Sequence, residues 1–340
     1  MIINYNDTND KVIIVAEIGN NHEGNFELAM EMINSAYESG ADAVKFQTFI
    51  PEHYVSAVTD PERVEKLGSF QLSFSEFEIL KAESDRLGIC FFSTPFDLKS
   101  AKFLNNIQSL FKISSGDNDF QALLKLTASF GKNLIISTGL CKDADVEAIY
   151  KLVMNIWKNT GSSAELALLH CVSSYPVPDD EANLLAITTL KEKFPDVVIG
   201  YSDHVKGIEA CLGAVALGAR IIEKHFTLDK NYSTFRDHQL SSDPEEFKFL
   251  TLSIRRLERM LGEGSKIIQP CEEDIIKVAR RSIASSKELA AGHIITTSDI
   301  TWVRPGAGFS CKQESEILGK KLLRSVTKSQ IFTKEDVFDS

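Results

Sequence analysis

The chain has no surplus of positive charge: 37 Lys+Arg stand against 48 Asp+Glu in 340 residues, a formal net charge of −11. Surfaces for nucleic acid or anionic membrane need an excess of cations, so neither partner is expected, although a local lysine cluster is compatible with the total. No window approaches the 18 or more apolar residues of a membrane span. The opening MIINYNDTND lacks the basic and apolar blocks of a secretory signal. Six cysteines, at 90, 141, 171, 211, 271 and 311, form no Cys-x-x-Cys pair. These absences predict a cytoplasmic protein with free thiols. Also missing is a Gly-x-Gly-x-x-Gly after the first apolar run, which speaks against a dinucleotide-binding doubly wound sheet.

What is present is a regular alternation. Short apolar runs occupy 12–19, 43–49, 90–96, 110–116, 133–139, 165–171, 197–203 and 220–226. Each is apolar over several consecutive residues, as for strands buried on both faces. Amphipathic helical text such as NFELAMEMINSAYESG (25–40) lies between them. Eight such units in about 260 residues predict an α/β fold, a (β/α)8 TIM barrel over 1–262. Residues 263–278, with glycine, proline and three consecutive acids, read as a linker. The rest, 279–340, is turn-rich and strand-like and reads as a small, mostly β domain.

Barrel enzymes place their chemistry at the C-terminal ends of the strands. Those ends carry Glu17; Lys45 and Gln47; Ser93 and Thr94; Lys112, Ser114 and Ser115; Ser137 and Thr138; His170 to Tyr175; Ser202 to His204; and Glu223 to His225. Two lysines among hydroxyls suit a phosphate or carboxylate. Either lysine could instead form a Schiff base, or merely lay its stem on apolar wall. His204 and His225 end consecutive strands. They could share a metal with open positions for water or substrate, or one could be a base and the other a hydrogen-bonded core residue. Cys171 reads as a small buried hydrophobe.

AEIGNNHEG (16–24), KFQTF (45–49), STPFD (93–97), KISSGD (112–117), LLHCVSSYP (168–176), GYSDH (200–204), IIEKHFT (221–227) and WVRPGAG (302–308), in this order, resemble the sialic acid synthase family. The resemblance runs from about residue 12 to 337. It implies a barrel joined to a C-terminal antifreeze-like (SAF) domain, and condensation of phosphoenolpyruvate with an acylated amino-sugar aldehyde into a nine-carbon 2-keto acid. It implies that His204 and His225 hold a divalent metal, Mn2+ or Mg2+. By the same resemblance, Lys45, Thr94, Lys112, Ser115, Ser137 and Ser202 surround phosphoenolpyruvate. Glu17, Gln47, Tyr175 and Asp237 surround the sugar or the reacting centre, with Glu17 as candidate base. Arg304 would reach the sugar's N-acyl group in the neighbouring barrel of a domain-swapped homodimer.

Three positions depart from the family pattern. Asp117 stands where a glutamate is usual, Ser173 replaces the asparagine of neuraminate synthases, and Phe235-Arg236-Asp237 replaces Gly-Pro-Asp. They point to an acceptor other than plain N-acetylmannosamine, for example a 2,4-diacetamido-trideoxy hexose. The competing readings are a metal-free aldolase on Lys45 or Lys112 and a catalytically silent sugar-binding protein. Residues 277–340 contain 11 Lys+Arg and 7 Asp+Glu, so the acidity belongs to the barrel and the tail is basic. Opposite charge would then favour docking between subunits.

Overall fold

The computed structural model describes residues 11–337. The first ten residues, read above for a signal, and residues 338–340 of the expected C-terminal domain lie outside the described residues. The chain divides between Gly262 and Glu263 into two compact units.

In the first unit, eight parallel strands form one sheet: β1 Ile13–Gly19, β2 Ala43–Thr48, β3 Cys90–Pro95, β4 Leu110–Ile113, β5 Asn133–Ser137, β6 Leu166–Cys171, β7 Val198–Asp203 and β8 Ile221–His225. Their order, β3-β2-β1-β8-β7-β6-β5-β4, is that of a barrel opened between β3 and β4. There the Gln108 side chain bridges the gap. Its Oε1 accepts the Ser93 N–H at 2.8 Å, and its Nε2 donates to the Ser93 carbonyl at 3.2 Å. The amide thus satisfies β3 backbone groups that a ladder would otherwise engage.

Around the sheet run α1 Phe26–Glu38, α2 Pro51–Tyr54, α3 Pro61–Phe70, α4 Phe74–Leu87, α5 Leu98–Leu104, α6 Gln121–Ser129, α7 Asp143–Thr160, α8 Ala186–Lys193, α9 Glu209–Ala216, α10 Arg236–Leu240 and α11 Pro244–Leu261. Local chemistry fixes their ends. Ser73 and Glu76 form a capping box at the start of α4, and Gly88 closes it in the left-handed region at φ 77°. Asp97 caps α5 by accepting from Lys99 and Ser100 N–H, and it also accepts the Ile50 N–H from the β2 loop. Residues 70–80 (FQLSFSEFEIL) form the end of α3, a short turn and the start of α4.

Two apolar layers result. Outward strand residues such as Ile14, Val44, Phe111, Ile136 and Ile222 pack under the helices, while Val15, Phe92, Leu110, Ile135, Leu169 and Ile221 fill the barrel interior.

The second unit contains α12 Glu273–Ala279, the antiparallel pair β9 Ser282–Ser285 and β10 Ile300–Val303, and the one-turn helices α13 Glu314–Ile317 and α14 Lys334–Val337. Isolated bridges such as Leu289 with Val326 extend its β character, around a core including Ile283, Ile295, Phe309, Ile317 and Phe332. The expected linker is therefore not all irregular. Its acids Glu273 and Asp274 occupy the first turn of α12, where negative charge complements the helix dipole. No disulfide joins any of the six cysteines. Among the described residues no helix is long and apolar enough to cross a membrane.

Candidate active site

Side chains alternate along a strand, so two residues beyond each interior apolar position the next side chain also points inward. Val15 is followed in this way by Glu17, Ala43 by Lys45, Phe92 by Thr94 and Leu110 by Lys112. On the later strands Ile135 is followed by Ser137, Leu169 by Cys171 and Ile221 by Glu223. All the residues reached this way line one cavity of about 680 Å³ at the strands' C-terminal ends, together with Gln47, Ser202, His204 and His225.

Glu223 lies at its centre. Its Oε1 is 3.1 Å from both Lys45 Nζ and Lys112 Nζ and accepts the Ser202 hydroxyl at 2.9 Å. Glu17 Oε1 lies 3.3 Å from Lys45 Nζ and accepts from Gln47 Nε2, also at 3.3 Å. Burial opposes charge on Glu223, but the Lys112 and Lys45 ammoniums hold its carboxyl below the usual carboxylate range. Burial drives the Glu17 carboxyl up to about 7, against Lys45 and with added repulsion from Glu223. Lys45 is pushed down by burial, yet Glu17 and Glu223 raise it overall. Burial lowers Lys112, with Glu223 opposing and Lys45 adding to the shift.

Several polar atoms in this cavity are buried without a partner: Thr94 Oγ1, Ser137 Oγ, Ser173 Oγ, Glu17 Oε2 and Glu223 Oε2. Buried polar groups are normally paired, so their concentration in one cavity marks ligand-binding capacity. Ser115 Oγ accepts the Gly139 N–H at 3.1 Å. Glycine at 139 leaves room for both hydroxyls, because a Cβ there would stand 2.4 Å from Ser173 Oγ and 2.6 Å from Ser115 Oγ and would push them aside.

The rings of His204 and His225 have centroids 5.4 Å apart, and Tyr175 lies 4.2 Å from His204. His204 Nδ1 is 2.8 Å from the Val172 carbonyl. That acceptor assigns the proton to Nδ1 and leaves Nε2 with a free lone pair. Burial, His204 and Lys45 together hold His225 well below its ordinary pKa, hence neutral. Burial opposes charge on His204, but Cys171 and the Val172 carbonyl raise its pKa overall, so its Nε2 is open to a divalent cation in the neutral form of the ring, beside the neutral His225. Among the described residues no group of three or more His, Cys, Asp and Glu is placed to hold a metal ion. Two imidazoles are fewer ligands than a closed site needs, so a cation held here would take its remaining ligands from water and substrate.

A profile of the NeuB family matches residues 32–266, more than half of the chain. The chain belongs to the NeuB family. A SAF domain profile matches residues 280–337. N,N'-diacetyllegionaminic acid synthase of Legionella pneumophila is 40% identical over 91% of this chain and 90% of its own length. The Campylobacter jejuni enzyme of the same name is 37% identical over 91% of this chain and 95% of its own. The crystal structure of N-acetylneuraminic acid (sialic acid) synthetase from Leptospira borgpetersenii in complex with citrate is 39% identical. It superposes with a TM-score of 0.73 over 79% of this chain and 91% of that one.

Of the residues singled out in the sequence, the NeuB-family barrel brings Glu17, Lys45, Gln47, Thr94, Lys112, Ser115, Ser137, Ser173, Tyr175, Ser202, His204, His225 and Asp237 to one cavity. Asp117 departs from expectation. It sits in a one-turn 3-10 helix after β4, its Oδ2 accepts the Ser114 hydroxyl at 2.8 Å, and it is not among the cavity-lining residues. Arg304 belongs to the second unit, where its Nε donates to the Ala279 carbonyl at 2.9 Å. Cys171 is buried as expected, but its Sγ lies 3.8 Å from His204 Nδ1. Burial opposes ionisation of the thiol, yet His204 lowers its pKa overall, a setting the sequence alone did not disclose.

Glu223 was named among the strand ends but given no role, and Asn20, Arg63 and Lys66 were missed. Glu223 stood at a strand end, two residues before His225 and so on the same face, which was signal enough. Asn20 Nδ2 donates to Gln47 Oε1 at 2.8 Å. Arg63 and Lys66 come from α3, an exposed helix between β2 and α4, and no pattern marked them. Lys66 Nζ lies 5.8 Å from the Phe70 ring and 5.6 Å from that of Phe235, and Arg236 Cζ lies 5.0 Å from the Tyr175 ring. The cavity wall there is aromatic with cations along its rim.

Proposed function

We propose that this chain condenses phosphoenolpyruvate with an N-acylated amino-sugar aldehyde and water, releasing phosphate and a nine-carbon 2-keto acid. The observation that carries the reading is one buried cavity with two lysines and unpartnered hydroxyls beside two imidazoles. Thr94, Ser115 and Ser137 donate to phosphate and carboxylate oxygens, while Lys45 and Lys112 supply positive charge where the leaving phosphate gains negative charge. A divalent cation, Mn2+ or Mg2+, held by His204 and His225 would supply Lewis-acid polarisation of the aldehyde oxygen.

C3 of phosphoenolpyruvate attacks the aldehyde carbon, water adds at C2, and C–O cleavage expels phosphate. Glu17, with its pKa near neutrality, takes the proton of the adding water. Gln47, Tyr175 and Asp237 orient the sugar, and Ser202 lies on the phosphoenolpyruvate side. Arg304 of a second subunit contacts the N-acyl group in a domain-swapped homodimer, and Asp117 acts only through Ser114.

Ser173 and the Phe235–Arg236 pair change the sugar side of the cavity, and two relatives are named for diacetyllegionaminic acid synthesis. The acceptor is on this reading a 2,4-diacetamido-trideoxy hexose in preference to N-acetylmannosamine. The test is incubation with phosphoenolpyruvate, Mn2+ and a panel of 2-acetamido sugars, with the keto acid identified by mass. A large preference for N-acetylmannosamine would sink the sugar assignment, and no phosphate release with any sugar would sink the function.

One observation favours a second reading. Burial lowers the pKa of Lys112, as an amine nucleophile requires. Borohydride trapping with substrate decides: a reduced covalent adduct supports an aldolase, and loss of activity on chelation supports the synthase.

A further inference from the structure

Two charged residues next to the cavity have no part in the chemistry above. Asp203 and Lys224 face each other in register across β7 and β8 and are 0% and 1% exposed. Alternation turns both to the outer side of the barrel, opposite to Ser202, His204, Glu223 and His225, and neither lines the cavity.

Their contacts converge on one backbone position. Lys224 Nζ lies 2.6 Å from Asp203 Oδ2. Asp203 Oδ1 accepts the Val205 N–H at 2.9 Å and the Tyr201 hydroxyl at 2.9 Å, and its Oδ2 accepts the Cys211 thiol at 3.2 Å. Lys224 Nζ also donates to the Val205 carbonyl. The pair therefore holds both polar backbone groups of the residue directly after His204, where β7 has ended and no ladder is available. On its other side His204 is held by the β6 loop: Nδ1 donates to the Val172 carbonyl, and its own carbonyl accepts the Val177 N–H at 3.0 Å.

Stability alone does not account for this pair. Two apolar side chains in the same space are often as good as a buried ion pair, because both charges must be stripped of water. An apolar pair could not grip the N–H and C=O of Val205. It could not tie the strand carrying His225 to the turn carrying His204 either, since Lys224 immediately precedes His225.

We propose that Asp203 and Lys224 are a positioning pair that sets His204 and His225 at the spacing a shared divalent cation needs. This rests on the metal-dependent synthase reading. Loss of a group that orients a metal ligand commonly weakens metal binding about 10–100-fold, and tolerance at such sites is a fraction of an ångström.

The experiment titrates Mn2+ alone into metal-free full-length protein, followed by electron paramagnetic resonance, with melting temperature and steady-state kinetics in parallel. The variants are Lys224→Met, the charge-free double Asp203→Asn/Lys224→Met, and the milder Tyr201→Phe, which removes one hydrogen bond from Asp203. Lys224→Met alone leaves a buried carboxylate unpaired and will melt lower. The double variant is expected to melt near wild type, bind Mn2+ at least tenfold more weakly, and lose kcat while its KM for phosphoenolpyruvate stays within about twofold. Tyr201→Phe is expected to shift Mn2+ affinity in the same direction by a smaller factor. A folded double variant, or Tyr201→Phe if the double does not fold, with wild-type Mn2+ affinity and kcat overturns the positioning role. Wild-type protein that takes up no Mn2+ overturns the metal reading itself, and this inference with it.

Discussion

Glu223→Gln removes one negative charge from the centre of the cavity while keeping the side chain's shape. In the wild type one oxygen faces Lys45 and Lys112, each at 3.1 Å, and the Ser202 hydroxyl at 2.9 Å, with all four residues buried. Breaking a buried pair from one side leaves uncompensated charge and typically costs about 3–5 kcal/mol. Glu17, 3.3 Å from Lys45, offsets part of this, so the expected loss is about 3 kcal/mol.

The pH of the comparison follows from the sign of the shift. Burial opposes the charge, but Lys112 and Lys45 depress the Glu223 pKa. Its contribution is therefore present above the unfolded value of about 4.3 and fades only as pH falls below the ordinary carboxylate range. Urea unfolding at neutral pH, read by far-ultraviolet circular dichroism, measures the gap.

Inorganic phosphate provides the second arm. With one carboxylate gone, the two lysines have a net positive charge to offer an anion. At about 100 times its Kd a ligand adds ~2.7 kcal/mol, enough to restore most of the deficit in the variant. Wild-type stability in Glu223→Gln, or a deficit that phosphate does not reduce, would falsify the view that this carboxylate holds the anion site together.

Three other outcomes are expected. Burial raises Glu17 to about 7, so the folded state holds its proton more tightly than the unfolded chain. That stabilisation is complete below about pH 4.3 and lost as pH rises through about 7; Glu17→Gln should flatten the fall in urea midpoint between about pH 5 and 8, and an unchanged slope counts against the shift. Gly139→Ala forces Ser115 and Ser173 aside and should raise the KM for phosphoenolpyruvate about tenfold or more with little change in melting temperature, in keeping with geometric tolerances well under an ångström; an unchanged KM removes Ser115 from the anion site. Arg63→Gln/Lys66→Gln takes two cations from the rim of an acidic barrel and should lower kcat/KM for phosphoenolpyruvate several-fold at low salt, with the gap closing as salt is added. Equal loss at all ionic strengths would speak for direct contact in place of steering.

Strand text alone determined much of this protein. Continuous apolar runs bounded by helical text specify parallel strands buried on both faces. Because side chains alternate with a period of two, a strand end also shows which of its polar residues points inward. Glu17, Lys45, Lys112, Ser137 and His225 were legible for that local reason.

Only the tertiary structure decided which charges meet. That Glu223 serves both lysines depends on barrel closure, which brings β8 opposite β2 and β4 across the interior; no local pattern encodes that stagger. Asp117 lies next to a site residue in sequence, but a one-turn helix after β4 pairs it with Ser114 instead. Arg63 and Lys66 sit on a helix with an ordinary charged face, and only its packing against Phe235 brings them to the rim. Asp203 and Lys224 occupy the outward phase of the same strand ends that carry the two histidines. Which acid would meet which base behind the barrel wall was set by the register of β7 against β8, a property of two segments and not of either one.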